Sequence, residues 1–401
     1  MTSLSLPTVD LSRGNDSLAP SATFIPGKGS EEDKPGPQDL GAAYVANLKA
    51  KYEAAAKGSG KRPTAKLPFQ GAWKAGELEL VDRYNEILWT GTFSVGTPPT
   101  KLDLVFDTGS SDTWAMPGTY YAGQSQTANE TGSKFTVSYG DGSSASGETY
   151  TETISVAGIT VHDFVFGSAT ICDMVDRGHQ GIVGLAFQSI SKFGAPPFYQ
   201  AAFDQKAILK NLFGVGLWTK SARLDFGAIA EEYEKKLVYS PVDNKRGWWM
   251  TSFGITGLPD SQKGIIDTGE TCWQQGHETT RLITFTLAPL GTTLIIGPES
   301  LVTKVLTAAG CKVVFKDGQV WGKYPTDKPP KITMTFEGVN YTISDEGLSF
   351  AADPDEPGTM WAGVIGDDMG AGLDWVIGGC FLQDVYAVFD ASVPRVGFAP
   401  K

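Results

Sequence analysis

The tripeptide Asp-Thr-Gly occurs twice in this chain of 401 residues, and its repetition limits the folds that the chain can adopt. One copy begins at Asp107 and the other at Asp267, each directly after a short apolar run. Each copy is followed further along the chain by apolar residues that end in glycine, at 181–184 and at 375–378. Motifs repeated in the same order indicate a duplicated unit. The sequence therefore predicts two similar lobes, with Asp107 and Asp267 at equivalent positions.

Short β-branched and aromatic runs, broken by glycine and proline, fill the chain from about residue 78 onward. The segment 86–95 is a candidate strand that ends at a Gly-Thr-Pro-Pro turn, and 102–106 is a second candidate. Glycine occurs 48 times and charged residues make up only 19% of the chain, while helix-forming runs are scarce beyond its first part. This pattern is typical of an all-β protein.

A carboxylate placed directly after a buried strand lies in surroundings that oppose its ionisation. One such aspartate is common, because aspartate is frequent in the turns that end strands. In a duplicated fold, however, a pseudo-twofold axis would bring Asp107 and Asp267 together at the junction of the lobes. Two adjacent carboxylates share one proton, since both cannot ionise readily. Such a pair can act as a general base toward water and as a general acid toward a leaving amine.

Four motifs in a fixed order resemble those of the pepsin-like aspartic proteases, in particular the secreted fungal acid proteases of the penicillopepsin and aspergillopepsin type. The motifs lie at residues 106–114, 139–147, 266–269 and 388–400, and the resemblance covers about residues 80–401. It implies an all-β, bilobed pepsin-like acid protease fold. In that fold the lobes are related by a pseudo-twofold axis and a β-hairpin flap closes over the cleft.

The resemblance implies an aspartic endopeptidase that works at acid pH with a water molecule activated by Asp107 and Asp267. The residues that support the two carboxylates in the family correspond here to Thr108, Gly109, Ser110, Thr268, Gly269 and Thr292. The flap and substrate-binding residues correspond to Tyr139, Gly140, Asp141, Gly142 and Trp114. Ser110 is expected to donate to Asp107, and the Tyr139 hydroxyl is expected near Trp114. The acidic residue at position 141 implies that lysine, as well as bulky apolar residues, is accepted before the scissile bond.

Residues 1–77 differ in composition from the rest and are predicted to be a partly disordered propeptide. Much of this segment is rich in proline, glycine, serine and charge, which is typical of chain without a fixed fold. A short helix is predicted at 42–52, and the basic residues after it can lie over an acidic cleft until acid protonates the carboxylates. A simple disordered tail fits the composition equally well. We expect an N-terminal lobe at 78–221, a C-terminal lobe at 222–401 and autocatalytic maturation near residues 70–80.

The sequence departs from the family pattern after the second Asp-Thr-Gly, where residues 270–291 intervene before Thr292. Without this segment Thr292 would be the counterpart of Ser110. The segment is predicted to be a translated, retained intron, because a glycine codon followed by the codon of Glu270 can read as a splice donor. A surface loop inserted beside the active site is the alternative. With the segment present, Glu270 takes the place of Thr292 and would raise the pKa of Asp267 by like-charge repulsion.

The formal net charge of −12 at pH 7 argues against nucleic acid and anionic membranes as partners, because both would be repelled. The three histidines and four cysteines are scattered without metal-ligand spacing, so neither a metal nor a cofactor is predicted. The resemblance implies a monomer whose partners are peptide or protein substrates, its own propeptide as an inhibitor, and pepstatin-type inhibitors.

The resemblance also implies a secreted or vacuolar protein, although the chain begins without a recognisable secretory signal. Asn-X-Thr triplets at Asn129 and Asn340 are compatible with export. The alternative function is a catalytically impaired homologue that binds peptides or inhibitors, because 270–291 interrupts the second motif. A structural β protein is a third hypothesis, but it gives no reason for paired Asp-Thr-Gly motifs.

Overall fold

The computed structural model describes residues 75–83, 88–138, 144–174, 178–218, 220–269, 294–316, 318–367 and 375–401. Strands dominate these ranges, which confirms the all-β prediction. The candidate strand at 86–95 corresponds to an observed strand that begins at Trp89, and the candidate at 102–106 lies inside the next strand. None of the helices within the described ranges is long and apolar enough to span a membrane.

The strands of the first part of the chain are β1 Gly76–Glu79, β2 Val81–Asp82, β3 Trp89–Val95, β4 Thr100–Asp107, β5 Thr113–Ala115, β6 Asn129–Ser138, β7 Ser144–Val156, β8 Ile159–Cys172, β9 Gly181–Gly184, β10 Leu212–Gly216 and β11 Arg223–Phe226. Within the described residues of this part the helix is α1 Phe198–Asp204, and short 3-10 turns lie at Ala122–Gln124 and Gln188–Ile190.

The strands of the second part are β12 Val238–Asp243, β13 Met250–Ile255, β14 Gln262–Ile266, β15 Ile295–Gly297, β16 Lys312–Lys316, β17 Gln319–Pro325, β18 Thr333–Phe336, β19 Val339–Thr342, β20 Ser349–Ala352, β21 Thr359–Ala362, β22 Val364–Gly366, β23 Trp375–Ile377, β24 Val385–Asp390 and β25 Arg395–Pro400. The helices here are α2 Glu231–Glu234, α3 Glu299–Ala308, α4 Asp345–Leu348 and α5 Gly379–Leu382.

In each half the Asp-Thr-Gly loop connects two strands that lie on either side of a third strand. In the first half β4 runs parallel to β9, and β5 runs antiparallel to the same strand. In the second half β14 runs parallel to β23, and β15 runs antiparallel to it. The two arrangements have the same topology, as the duplicated sequence motifs predict.

A six-stranded antiparallel sheet, which we call the linking sheet, joins the two halves. Its strand order is β1, β11, β10, β24, β25, β12. The central strand β24 is buried at all six positions, as expected for apolar residues covered on both faces. The predicted boundary after residue 77 falls inside β1, and the one after residue 221 falls between β10 and β11. Both predicted boundaries therefore cut strands or connections of this sheet.

Candidate active site

The structure brings the two Asp-Thr-Gly copies together although they are 160 residues apart. Asp107 is the last residue of β4, and Asp267 directly follows β14. Both side chains are almost completely buried, since Asp107 is 3% and Asp267 is 1% exposed. The strands that precede them are buried and apolar, so each carboxylate lies where the chain leaves a protein core.

The two threonines hold the loops together with four reciprocal hydrogen bonds. Thr108 Oγ1 donates to the carbonyl oxygen of Ile266 at 2.9 Å and accepts from the Thr268 amide at 2.9 Å. Thr268 Oγ1 donates to the carbonyl oxygen of Phe106 at 3.3 Å and accepts from the Thr108 amide at 3.1 Å. Each hydroxyl thus satisfies one backbone donor and one backbone acceptor of the opposite loop. This arrangement explains why both copies carry threonine, which has a hydroxyl able to do both.

The glycines of the two motifs orient the carboxylates. The Gly109 amide donates to Asp107 Oδ1 at 2.9 Å, and the Gly269 amide donates to Asp267 Oδ1 at the same distance. A methyl group at Gly269 would overlap Asp107 Oδ1 and would lie 2.6 Å from Asp107 Cγ and 3.1 Å from Asp267 Oδ1. Asp107 Cγ and Asp267 Oδ1 therefore lie within about 6 Å of each other, close enough for each charge to oppose ionisation of the other.

Ser110 gives the first carboxylate a further donor. Its Oγ lies 2.5 Å from Asp107 Oδ2, so both oxygens of Asp107 accept a hydrogen bond from the loop that follows it. Thr292, predicted to be the corresponding residue in the second half, lies outside the described residues. Trp114 is fully buried in β5, next to Gly167 of β8. The predicted flap residues Tyr139, Gly140, Asp141 and Gly142 lie outside the described residues.

Strand register defines the length of the first motif loop. Phe106 of β4 and Thr113 of β5 both pair with Val183 of β9, one on each side of it. Six residues, 107–112, therefore suffice to connect two strands that flank a common neighbour.

The second motif loop spans an equivalent pair of positions with a much longer chain. Ile266 of β14 and Ile295 of β15 both pair with Ile377 of β23, again one on each side. The connection 267–294 has 28 residues, which is 22 more than its counterpart. This excess equals the length of the segment 270–291, which itself lies outside the described residues.

Two tryptophans that follow β12 in the second half of the chain form hydrogen bonds to the first motif loop and to the end of β9 beside it. Trp248 Nε1 donates to the carbonyl oxygen of Gly109 at 3.3 Å, and Trp249 Nε1 donates to that of Leu185 at 2.9 Å. The Leu185 amide in turn donates to the carbonyl oxygen of Asp107 at 2.8 Å. Nothing in the sequence distinguishes Trp248 and Trp249 from ordinary core tryptophans, so these contacts were not predicted.

A second buried carboxylate lies at the end of the first motif loop. Asp112 accepts hydrogen bonds from Ser191 Oγ at 2.6 Å, the Lys192 amide at 2.7 Å and the Phe193 amide at 3.2 Å. Burial raises the pKa of Asp112, although these three hydrogen bonds oppose the shift. The Phe193 ring packs 5.0 Å from that of Phe135 in β6, the strand that leads toward residues 139–143. Asp112 thus connects the motif loop to a segment that packs against β6, which pairs with β7.

The family model for eukaryotic aspartyl proteases matches residues 88–401, which is most of the chain. This chain belongs to that family. It is 28% identical over 331 residues to secreted aspartyl protease 1 of Malassezia globosa, covering 81% of this chain and 76% of that protein. It is 30% identical to aspergillopepsin-1 of Aspergillus fumigatus, covering 75% and 76%, and 30% identical to penicillopepsin-1 of Penicillium janthinellum, covering 75% and 92%.

The fold of the aspartyl protease also agrees with a solved structure. The crystal structure of an aspartic proteinase from Irpex lacteus superposes with a TM-score of 0.66 at 23% identity, covering 82% of this chain and 98% of that one. These findings confirm the predicted family, the bilobed pepsin-like fold and the class of enzyme, an aspartic-type endopeptidase that acts on peptide or protein substrates. Among the described residues, no group of three or more His, Cys, Asp or Glu side chains is arranged to hold a metal ion.

Proposed function

We propose that this aspartyl protease hydrolyses peptide bonds at acid pH with a water molecule held between Asp107 and Asp267. The observation that carries the proposal is the meeting of two buried carboxylates, each oriented by a glycine amide and joined by the Thr108–Thr268 hydrogen bonds. Aspartic-protease dyads are the standard example of two carboxylates that share one proton.

In the proposed reaction the ionised carboxylate takes a proton from water while the water oxygen attacks the peptide carbonyl carbon. The protonated carboxyl donates to the carbonyl oxygen, and a tetrahedral intermediate forms. The C–N bond then breaks with its electrons going to nitrogen, which receives a proton from one carboxyl of the pair, while a hydroxyl of the intermediate returns a proton to the other carboxylate. This step releases a carboxylic acid and an amine and leaves the pair with one proton. The cycle needs one proton on the pair, so activity requires a pH below the higher of its two apparent pKa values.

The Gly109 amide and Ser110 Oγ supply a donor to each oxygen of Asp107, which favours the ionised form of this carboxylate. We assign Thr292 as the matching donor to Asp267 in a chain without 270–291. For specificity we propose bulky apolar residues and lysine before the scissile bond, with Asp141 of the flap as the partner of lysine and Tyr139 closing over the substrate.

The excess length of the second motif loop supports the proposal that 270–291 is a translated intron. A loop of six residues connects the equivalent strands in the first half, and removal of 22 residues leaves six in the second half as well. The alternative is that the segment is present and impairs catalysis, in which case the cleft binds peptides or inhibitors without cleaving them.

We further propose that residues preceding β1 act as an inhibitory propeptide, and that the enzyme is a monomer inhibited by pepstatin. β1 pairs with β11 along all four of its residues, so maturation is expected before Gly76 rather than within the strand. The names of fungal relatives such as secreted aspartyl protease 1 support a secreted enzyme, with a vacuolar one as the alternative location.

The test compares the full chain with a variant that lacks residues 270–291, each purified after incubation in acid. Pepstatin-sensitive cleavage of a peptide library is measured between pH 3 and pH 7, with Asp107→Asn and Asp267→Asn variants as matched controls. We expect cleavage below about pH 5 in the shortened chain and none in either control. Equal activity of both chains would contradict the intron proposal, and folded chains that bind pepstatin without cleaving any peptide would support the impaired homologue.

A further inference from the structure

The triplet Asn340-Tyr341-Thr342 lies on a β-hairpin whose geometry separates its outer residues from its middle one. In β19 the side chains of Asn340 and Thr342 are exposed, while Tyr341 is 5% exposed and its hydroxyl donates to the carbonyl oxygen of Phe398 at 2.9 Å. Alternation along the strand thus places the two recognition residues of an Asn-X-Thr triplet on one solvent face. The core contact of Tyr341 holds that face outward.

The hydrogen bond of the Asn340 side chain uses its oxygen, which leaves the amide nitrogen, Nδ2, suited to attachment of a sugar. Asn340 Oδ1 accepts from Thr335 Oγ1 of β18 at 2.7 Å, and Thr333 and Thr342 form a second hydroxyl pair at 2.9 Å. An N-linked sugar is attached through Nδ2 and leaves Oδ1 as an acceptor. The folded hairpin can therefore carry a glycan on Asn340 without loss of the Thr335 hydrogen bond.

The position of β19 gives such a glycan a physical role. Among the described strands β19 pairs only with β18, so the backbone donors and acceptors of its other edge form no ladder with any of them. The strand reads Val-Asn-Tyr-Thr, carries no charge and begins with Val339, which is 37% exposed. An uncharged edge strand of this kind is a template for pairing with another chain. Charge repulsion between chains is weakest near the isoelectric point of about 4.8, within the acid range.

The geometry points to Asn340 as an N-glycosylation site whose glycan covers the open edge of β19. In the transfer, Asn340 Nδ2 forms a bond to C1 of the first N-acetylglucosamine of a lipid-linked oligosaccharide diphosphate. The C1–O bond to the diphosphate breaks, the lipid diphosphate departs with the bonding electrons, and the amide nitrogen gives up one proton. The inference rests on export of the chain and does not depend on its catalytic activity.

The triplet that begins at Asn129 provides an internal comparison. Asn129 Nδ2 donates to the carbonyl oxygen of Thr127 at 3.2 Å, so a glycan on this nitrogen must leave the remaining N–H in place for that bond. Thr131 lies where the pairing of β6 with β7 shifts register, and its hydroxyl donates to the carbonyl oxygen of Thr149 at 2.9 Å. We therefore expect higher glycan occupancy at Asn340 than at Asn129.

The test expresses the full chain behind a secretion leader in yeast and measures the gel shift on treatment with peptide N-glycosidase F. Conversion of the linked asparagine to aspartate is then located by peptide mass spectrometry. The variants Asn340→Gln and Thr342→Ala should lose one glycan, whereas Thr342→Ser, which preserves the triplet, should keep it. Asn129→Gln serves as the matched control and should retain the glycan at residue 340.

If the chain is poorly secreted, the same variants are translated in vitro in the presence of microsomes. Glycan transfer is then measured on the translocated chain, which the microsomes protect from added protease. An unmodified Asn340 in translocated chain would overturn the inference. The same shift is expected in the Asp107→Asn background, so the result stands whether or not the chain cleaves peptides. Light scattering at pH 4.8 tests the role of the glycan: Asn340→Gln should scatter more than Asn129→Gln, and equal scattering would refute edge protection.

Discussion

Replacement of Thr108 by valine tests whether the threonine pair holds the two motif loops together. The substitution keeps the shape of the side chain but removes Oγ1, which donates to the Ile266 carbonyl and accepts from the Thr268 amide. Both backbone groups are buried and would lose these partners. A buried polar group left without a partner costs about 1–3 kcal/mol. For the two groups together we therefore expect Thr108→Val to lower the free energy of unfolding by about 2–6 kcal/mol.

The matched substitution Thr268→Val should cost less. The hydroxyl of Thr268 makes longer bonds, 3.3 Å to the Phe106 carbonyl and 3.1 Å from the Thr108 amide, and longer bonds are weaker. Urea unfolding at pH 5 measures both variants, and Thr108→Ser, which restores the hydroxyl, should recover most of the loss. Peptidase activity should fall about 10- to 100-fold in Thr108→Val, because small displacements of reacting groups have effects of this size. A Thr108→Val protein within about 0.5 kcal/mol of the parent would refute the reasoning, since that is the range of substitutions that disturb no structural feature.

Two further predictions concern the pH dependence of stability. Burial opposes ionisation of Asp353, but its ion pair with Lys323 outweighs this effect and lowers the Asp353 pKa below 3.8. The pair therefore stabilises the fold above pH 3.8, and this stabilisation is lost as the pH falls through the lowered pKa. Lys323→Met should therefore cost about 3–5 kcal/mol in urea unfolding at pH 6 and clearly less at pH 2, and equal costs would contradict the assignment. The pKa of Asp112 is raised, so its contribution is full below pH 3.8 and is lost as pH rises through the folded-state value. Asp112→Asn should consequently gain stability relative to the parent between pH 4 and pH 7, and a constant difference across that range would argue against a buried, ionising Asp112.

The duplicated motif was sufficient to predict that Asp107 and Asp267 lie close together. A repeated motif implies two lobes related by a pseudo-twofold axis, and such an axis brings equivalent residues together whatever the details of the core packing. The same symmetry accounts for Thr108 and Thr268, whose bonds are reciprocal. The position of Ser110 beside Asp107 follows from the short loop that carries both residues.

Other contacts could not be predicted because they join distant parts of the chain and have no counterpart in the other half. Trp248 reaches Gly109 across 139 residues and belongs to a strand connection that carries no motif. Asp112 looks like a surface turn residue in the sequence, and only the loop that begins at Ser191 makes it a buried acceptor. The predicted start of the first lobe at residue 78 falls inside β1, whose four residues form a strand through their pairing with β11.

The central pair of the linking sheet joins β10 from the first half to β24 from the second, and the Phe213 and Phe389 rings stack across it at 4.8 Å. Neither half of the chain therefore contains all the strands of the linking sheet. A fragment that ends after residue 221 would leave β10 with an open edge, which is a site for pairing with a second fragment. The two lobes are consequently expected to unfold in one calorimetric transition, and their separation into independent halves would give dimers or aggregates rather than stable single lobes.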